Sequence, residues 1–346
     1  MKHIEASLNN ALINQGWLYG QRYHRIGNPY LWVDTEQIGS YNKATLLSGA
    51  QAFLQYLSLH SEQYLTPKEI TSTDFDHMRK HVEETIRESF HYFLPFLESS
   101  ISEYENYICC TALVRTQDYS AVRTLASELP RSPMHLDIGP GLGTAAIASL
   151  HGLKGCFYAL EAFPMSYAIQ RDFFRFLTTK GATYFDVIEL ENFFPDFGEL
   201  ANKLRQSAHT IKHIPSWHFG LVDDNHIDLV TANWVLNEVS TAGILWLIAN
   251  TSRVLRPGGY LYIRDSGILK PLRHSVNYDE LLIELGFTLF DRLEVRNRID
   301  YYGIPRIYKN TNPTHYTFDE LCNKVIGKFD IPAWGGVHKS KNDEHK

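Results

Sequence analysis

MHLDIGPGLGTAAIASL, Met134 to Leu150, reads as a short apolar strand, a glycine-rich turn and the small-residue start of a helix. The turn carries Asp137-x-Gly139-x-Gly141-x-Gly143, with Pro140 between the first two glycines. Glycine serves where backbone takes a positive φ or comes close to a ligand, because a Cβ would collide. A helix that starts just after such a turn aims unpaired N–H groups and the positive end of its dipole at whatever is bound there. A dinucleotide fingerprint, G-x-G-x-x-G, would put its third glycine at Thr144 or, counted from Gly141, at Ala146, a variant it tolerates. The spacing weakens the dinucleotide reading without excluding it. Phe157-Tyr158-Ala159-Leu160 reads as the next strand and ends in Glu161, 18 residues past Gly143. A carboxylate at such a strand tip can accept both hydroxyls of a ribose. It would do so in a NAD enzyme too, so Glu161 points to a ribose and leaves the cofactor open.

The C-terminal half narrows the choice. Ile227-Asp228-Leu229-Val230-Thr231-Ala232-Asn233 is a buried-type strand running into Trp234-Val235-Leu236-Asn237-Glu238. A helical stretch from Ile244 to Val254 follows, and Leu255-Arg256-Pro257-Gly258-Gly259-Tyr260-Leu261-Tyr262-Ile263 turns into another strand. This order, glycine turn, acidic strand end, IDLV strand and LRPGGYLYI, resembles that of class I S-adenosylmethionine (SAM)-dependent methyltransferases over roughly residues 130 to 310. The resemblance implies an α/β fold, a Rossmann-like, mostly parallel sheet closed by an antiparallel C-terminal hairpin, with SAM as cofactor. It implies that Gly139, Pro140, Gly141 and Gly143 pass under the methionine part while Asp137 holds its amino group. Glu161 and the adjoining Ala162 would take the ribose, with Asn233 and Trp234 lining the cofactor after the IDLV strand. Family members often place an Asp after the third strand to accept from the adenine amino group. His213-Ile214-Pro215-Ser216-Trp217-His218 has no acid, so Ser216 or Trp217 is expected to border the adenine.

Within that superfamily the aromatic N-terminal region, Asn237-Glu238 and Gly303-Ile304-Pro305-Arg306 look like a bacterial group of sugar O-methyltransferases. That implies a small hydroxylated acceptor, a sugar or secondary metabolite. An N- or C-methyltransferase of a natural-product pathway, or a non-catalytic SAM-binding protein, would share every cofactor motif.

The 346 residues can bury a substantial core, and 44% hydrophobic with 21% charged residues is ordinary for a globular protein. A net charge of −6 without a Lys/Arg cluster argues against a nucleic-acid or anionic-membrane partner. Cys109, Cys110, Cys156 and Cys322 form no C-x-x-C pair, which favours reduced thiols and a cytoplasmic location. No segment reads as a signal peptide or membrane span.

Residues 1–130 read as a helical block, a substrate-recognition cap or a homodimerisation element. Residues 131–330 form the SAM-binding domain and 331–346 a polar tail expected to be partly disordered. Helices are expected over Ala44 to Leu59, from Thr66-Pro67, over Phe75 to Leu97 and over Asp118 to Leu129. Further helices are expected over Ser166 to Lys180, Glu199 to Thr210, Ser275 to Leu285 and after the capping box at Thr317. Strands fit Thr288 to Arg296 and Arg306 to Tyr308, while Ala182 to Phe197 is ambiguous.

Methyl transfer to a hydroxyl needs the acceptor held close and its proton removed. Glu238, His274 and Asp265 are the candidate bases, all near ends of strands that face the ligand in open α/β sheets. Tyr19, Tyr23, Tyr30 and Trp32, with Asn237 and Arg264, are the candidate acceptor contacts, the rings being flat enough to stack on a sugar. No metal-ligand spacing occurs, so the chemistry is expected to be metal-independent.

Overall fold

The computed structural model describes residues 72–97, 102, 105–125, 128–162, 164–191, 196–233, 235–236, 241–264, 278–292 and 305–328. The helices expected over Ala44 to Leu59 and from Thr66-Pro67 lie outside them.

Helix α1, Ser72–Leu97, follows the apolar positions spaced four apart: Met78, Val82 and Ile86 are all buried. Pro95 falls in its last turn. Helix α2 spans Glu105–Arg123, so the helix expected from Asp118 begins much earlier and Asp118 lies inside it. The reason is compositional. The buried face of α2 is built largely from small and polar residues, Ala112, Thr116 and Ser120, which hydropathy does not flag as core.

The sheet has eight strands in the order β3-β4-β2-β1-β5-β6-β8-β7. They are β1 Met134–Ile138, β2 Cys156–Glu161, β3 Tyr184–Asp186, β4 Ile211–Pro215, β5 Ile227–Asn233, β6 Leu255–Arg264, β7 Phe287–Arg292 and β8 Arg306–Asn310. The strands from β3 to β6 pair in parallel, and β8 runs antiparallel to both β6 and β7. The expected Rossmann-like sheet with its C-terminal hairpin is therefore the fold. The ambiguous stretch resolves into the edge strand β3 and a short helix, Val187–Glu191.

Helix α3, Ala145–Ala148, passes directly into a π-helical turn, Ser149–Leu153, which Lys154 ends at φ 53°. The helix after the glycine turn is thus brief. Helix α4 is Pro164–Thr178, α5 Val187–Glu191 and α6 Phe197–Gln206, the last N-capped by Asp196 through the Glu199 N–H at 2.9 Å. Helix α7 is Thr241–Val254, α8 Tyr278–Glu284 and α9 Phe318–Lys328. The capping box forms: the Thr317 N–H donates to Glu320 Oε2 at 2.8 Å and the Glu320 N–H returns to Thr317 Oγ1 at 3.3 Å.

Alternate residues of a buried strand face opposite layers, and β2 shows this directly. Tyr158 and Leu160 join one apolar cluster with α6, α7 and α9, whereas Phe157 and Ala159 join another with α1 and α2. In the second cluster Met78, Val82, Ile86 and Ile108 pack with Phe157, Leu229, Tyr260 and Ile307. Glu128, just beyond α2, accepts from Lys309 Nζ at 2.9 Å and also from Tyr260. Cys109, Cys156 and Cys322 are free thiols. Among the described residues no helix is long and apolar enough to cross a membrane.

Candidate functional site

In open parallel sheets, ligands bind at the C-terminal strand ends where the winding reverses. Here that point is β1, with β2 on one side and β5 on the other. The turn leaving β1 is fixed by the Gly139 N–H donating to the Leu160 carbonyl and the Gly143 N–H to that of Pro140, both at 2.9 Å.

Its three glycines all have positive φ, 62°, 62° and 78°, but they differ in what surrounds them. A Cβ on Gly139 would lie 2.7 Å from Val235 Cγ2, and one on Gly143 would lie 2.7 Å from the Phe174 ring. Those two are packed by the protein itself. Among the described residues a Cβ on Gly141 would meet only Arg115 Nη2, at 4.0 Å. The backbone at Gly141 therefore faces open space, as a surface under a ligand should.

Asp137, at the start of this turn, is 1% exposed. Its Oδ1 accepts from Thr231 Oγ1 at 2.6 Å, while Oδ2 is buried without a partner. Burial pushes its carboxyl up to about 6, against the pull of the Arg115 charge and the Thr231 hydroxyl. Thr231 is held from behind by His135, whose Nε2 lies 2.9 Å from Oγ1 and whose Nδ1 lies 3.0 Å from Ser149 Oγ. Since Thr231 spends its proton on Asp137, His135 donates from Nε2 and accepts from Ser149 at Nδ1. Burial pulls that imidazole down to about 3, so it stays neutral. On the adjoining strand Asn233 is also buried, and its Oδ1 has no partner. Ile138 pairs with Ala232, which sets Asn233 beside the first glycine. Two unfilled buried acceptors thus border the same turn.

Glu161 is 2% exposed. Its Oε1 accepts from the Ala162 N–H at 2.7 Å and its Oε2 from Gln170 Nε2 at 2.6 Å. Gln170, on α4, also donates to the Gly141 carbonyl at 2.6 Å, so one amide ties the glycine turn to the acid at the end of β2. Its Oε1 must then face His213 Nε2, 2.9 Å away, which carries a proton. His213 stacks on Tyr167 with ring centroids 3.5 Å apart, and burial holds it neutral. The Tyr184 hydroxyl lies 3.0 Å from His213 Nδ1 and 2.9 Å from Asp186 Oδ2. One phenolic proton can serve only one of them at a time. Burial raises the Asp186 carboxyl, against the hydrogen bonds from Tyr167 and Tyr184.

Glu161 pairs in register with Pro215, which places Ser216 and Trp217 next to it. Both are buried, at 0% and 4% exposure. Arg264 ends β6 at 2% exposure, and Asp118 of α2 accepts from its Nη2 at 2.8 Å while also accepting from Tyr262. Its charge is therefore fixed in place by the N-terminal helices. Tyr19, Tyr23, Tyr30, Trp32, Trp234, Asn237, Glu238, Asp265 and His274 lie outside the described residues. Among the described residues no cluster of His, Cys, Asp or Glu could hold a metal.

Sequence reasoning did not find Arg115, His135, Gln170, Thr231 or Asp186. His135 and Thr231 carry a usable signal, since polar side chains inside strands buried on both faces must pair with something. Gln170 and Arg115 carry none, because each lies on a helix and reaches the site only through the tertiary fold.

No family model matches the sequence, and no curated protein matches it. Among solved structures, magnesium protoporphyrin IX methyltransferase from Synechocystis PCC 6803 with bound SAM is similar over 66% of this chain and 97% of its own, at 11% identity and a TM-score of 0.38. A "putative sarcosine dimethylglycine methyltransferase" from Galdieria sulphuraria is similar over 59% of this chain and 88% of its own, at 15% identity and a TM-score of 0.39. Phosphoethanolamine N-methyltransferase 1 of Haemonchus contortus, with phosphoethanolamine and S-adenosylhomocysteine, is similar over 74% and 53%, at 14% identity and a TM-score of 0.35. Likenesses this loose carry nothing about ligand or activity, so what this chain binds has to be read from its own site.

Proposed function

We propose that this chain is a SAM-dependent methyltransferase acting on oxygen of a small hydroxylated metabolite, a sugar or secondary metabolite. One observation carries the cofactor assignment: the buried, half-satisfied carboxyl of Asp137 stands at the mouth of a glycine turn that is open at Gly141. A buried acceptor of this kind complements an ammonium group and opposes a pyrophosphate.

Asp137 and Asn233 accept from the amino group of the cofactor, and the backbone from Gly139 through Pro140 and Gly141 to Gly143 runs beneath its methionine part. Glu161, oriented by Ala162 and Gln170, takes the ribose hydroxyls. Ser216 and Trp217 border the adenine, and Trp234 closes the side next to Asn233. SAM supplies a methyl group already activated on a sulfonium. The protein then has to hold an acceptor in line and remove the hydroxyl proton. Glu238, His274 and Asp265 are the candidates for that base. Tyr19, Tyr23, Tyr30, Trp32 and Asn237 are assigned to the acceptor, with Arg264 as a fixed charge at that end. The acidic net charge favours a small molecule over nucleic acid or membrane. We also place the protein in the cytoplasm and read residues 1–130 as the cap or dimer contact.

Calorimetry with SAM, S-adenosylhomocysteine and NAD tests the cofactor; uptake of NAD with indifference to the other two would sink the proposal. Incubation with methyl-labelled SAM and extract of the source cell then identifies the product. A labelled O-methyl metabolite is the expected outcome, an N- or C-methyl product corrects the acceptor atom, and binding without any product means a non-catalytic SAM protein.

A further inference from the structure

The acid at the end of β2 is steered from inside the sheet. Gln170 reaches it from α4 on a long flexible side chain, and an amide has nearly the same outline whichever way round it sits. Two neighbours of that amide are acceptors, Glu161 Oε2 and the Gly141 carbonyl, each 2.6 Å from Nε2. The third is His213, fully buried, with its Nε2 2.9 Å from Oε1. That ring is held on every side. β4 carries it between Ala159 of β2 and Asp186 of β3, Tyr167 stacks on it at 3.5 Å, and Phe174 meets it near a right angle at 5.1 Å. Burial, helped by the Arg171 charge, keeps the imidazole neutral, so it holds a single proton. A proton on Nε2 completes the amide and leaves Nδ1 to accept from the Tyr184 hydroxyl, 3.0 Å away. A proton on Nδ1 would set two acceptors, Nε2 and Oε1, against each other.

We infer that His213 is a positioning residue for ribose recognition: through Gln170 it fixes where the Glu161 carboxylate stands, and so sets the discrimination between a ribonucleoside and a 2′-deoxyribonucleoside. This rests on the SAM reading and deepens it. Without the Nε2 proton, Gln170 Oε1 is a buried acceptor with nothing to accept, and the side chain gains by turning away from Glu161 and Gly141. A carboxylate that loses its alignment still attracts a donor but no longer meets two hydroxyls at once. A histidine that merely filled the core would affect stability. It would leave untouched the ratio between two ligands that differ by one hydroxyl.

Calorimetry on the full chain compares S-adenosylhomocysteine with its 2′-deoxy analogue. The wild type should favour the ribose form by roughly ten- to a hundredfold. His213→Phe keeps a ring on Tyr167 but donates nothing, and should bring that ratio down by roughly tenfold. His213→Gln carries a donor on its side-chain amide and should restore most of the ratio. Nitrogen-15 spectra of the wild-type imidazole should find its proton on Nε2; a proton on Nδ1 overturns the inference without recourse to any variant. Equal binding of the two ligands by the wild type, or an undiminished ratio in folded His213→Phe, overturns it as well. A wild type that takes up neither SAM nor S-adenosylhomocysteine would instead refute the cofactor assignment underneath.

Discussion

Asp137 is the side chain in which stability and binding conflict. Its carboxyl is raised from 3.8 to about 6 by burial, so its favourable contribution to folding is full below pH 3.8 and is lost as pH rises through about 6. Asp137→Asn keeps an acceptor for Thr231 and removes the titration. Without ligand, this variant should match the wild type near pH 4 and exceed it at pH 8 by up to about 3 kcal/mol, seen as a higher melting temperature. It should bind SAM far more weakly. A variant no more stable at pH 8 than the wild type would contradict the burial of an ionisable group there. The glycines separate in the same way. Among the described residues Gly141→Ala approaches nothing nearer than Arg115 Nη2 at 4.0 Å, so beyond a left-handed backbone strain of about 1–2 kcal/mol it should act by obstructing the ligand. Gly143→Ala drives a methyl into Phe174 and should lower stability further. Urea titration of both apo variants, paired with calorimetry, checks that order.

Helix α2 acts as a strut between the N-terminal helices and the end of β6. Asp118 is where it attaches, accepting from the buried Arg264 and from Tyr262. Asp118→Ala removes the carboxylate to which the buried Arg264 guanidinium and the Tyr262 hydroxyl donate and should cost roughly 3–5 kcal/mol, measured by denaturant unfolding. A loss below 1 kcal/mol would mean that water reaches Arg264. Helix α4 plays the corresponding part on the nucleoside side through Gln170. Gln170→Leu strands the His213 Nε2 proton and removes one donor each from Glu161 and the Gly141 carbonyl, at a cost of about 1–3 kcal/mol. Adenosine, which lacks the amino-acid end, should lose affinity in this variant. Unchanged melting and unchanged adenosine binding would show that the amide does not orient Glu161.

The N-terminal helices cover the sheet. Met78, Val82, Ile86 and Ile108 share one apolar cluster with Phe157, Leu229, Tyr260 and Ile307, so removing them uncovers a whole face. A chain beginning at residue 130 should therefore aggregate when expressed, although it retains every motif of the glycine turn and the strands. If that fragment proves soluble and monomeric with a cooperative melt, α1 and α2 are an appendage and not part of the core.

Much of this was legible in the sequence, for a definite reason. The glycine turn, Glu161 at a strand tip, the buried run from Ile227 to Asn233 and the capping box at Thr317 depend on neighbours a few positions apart. Local sterics, strand alternation and helix-end hydrogen bonds therefore encoded the sheet's order of elements and the edge where a ligand sits. The partners were not encoded locally. Thr231 lies 94 residues from the carboxyl it holds, and Arg264 lies 146 from the acid that fixes it. Only the close packing of the folded chain selects which of many polar side chains meet. That same packing moved the start of α2 to Glu105, since small and polar residues become core where another surface covers them. It also decided that, among the described residues, no side chain packs closely on Gly141, whereas Val235 and Phe174 pack on the other two glycines of the turn.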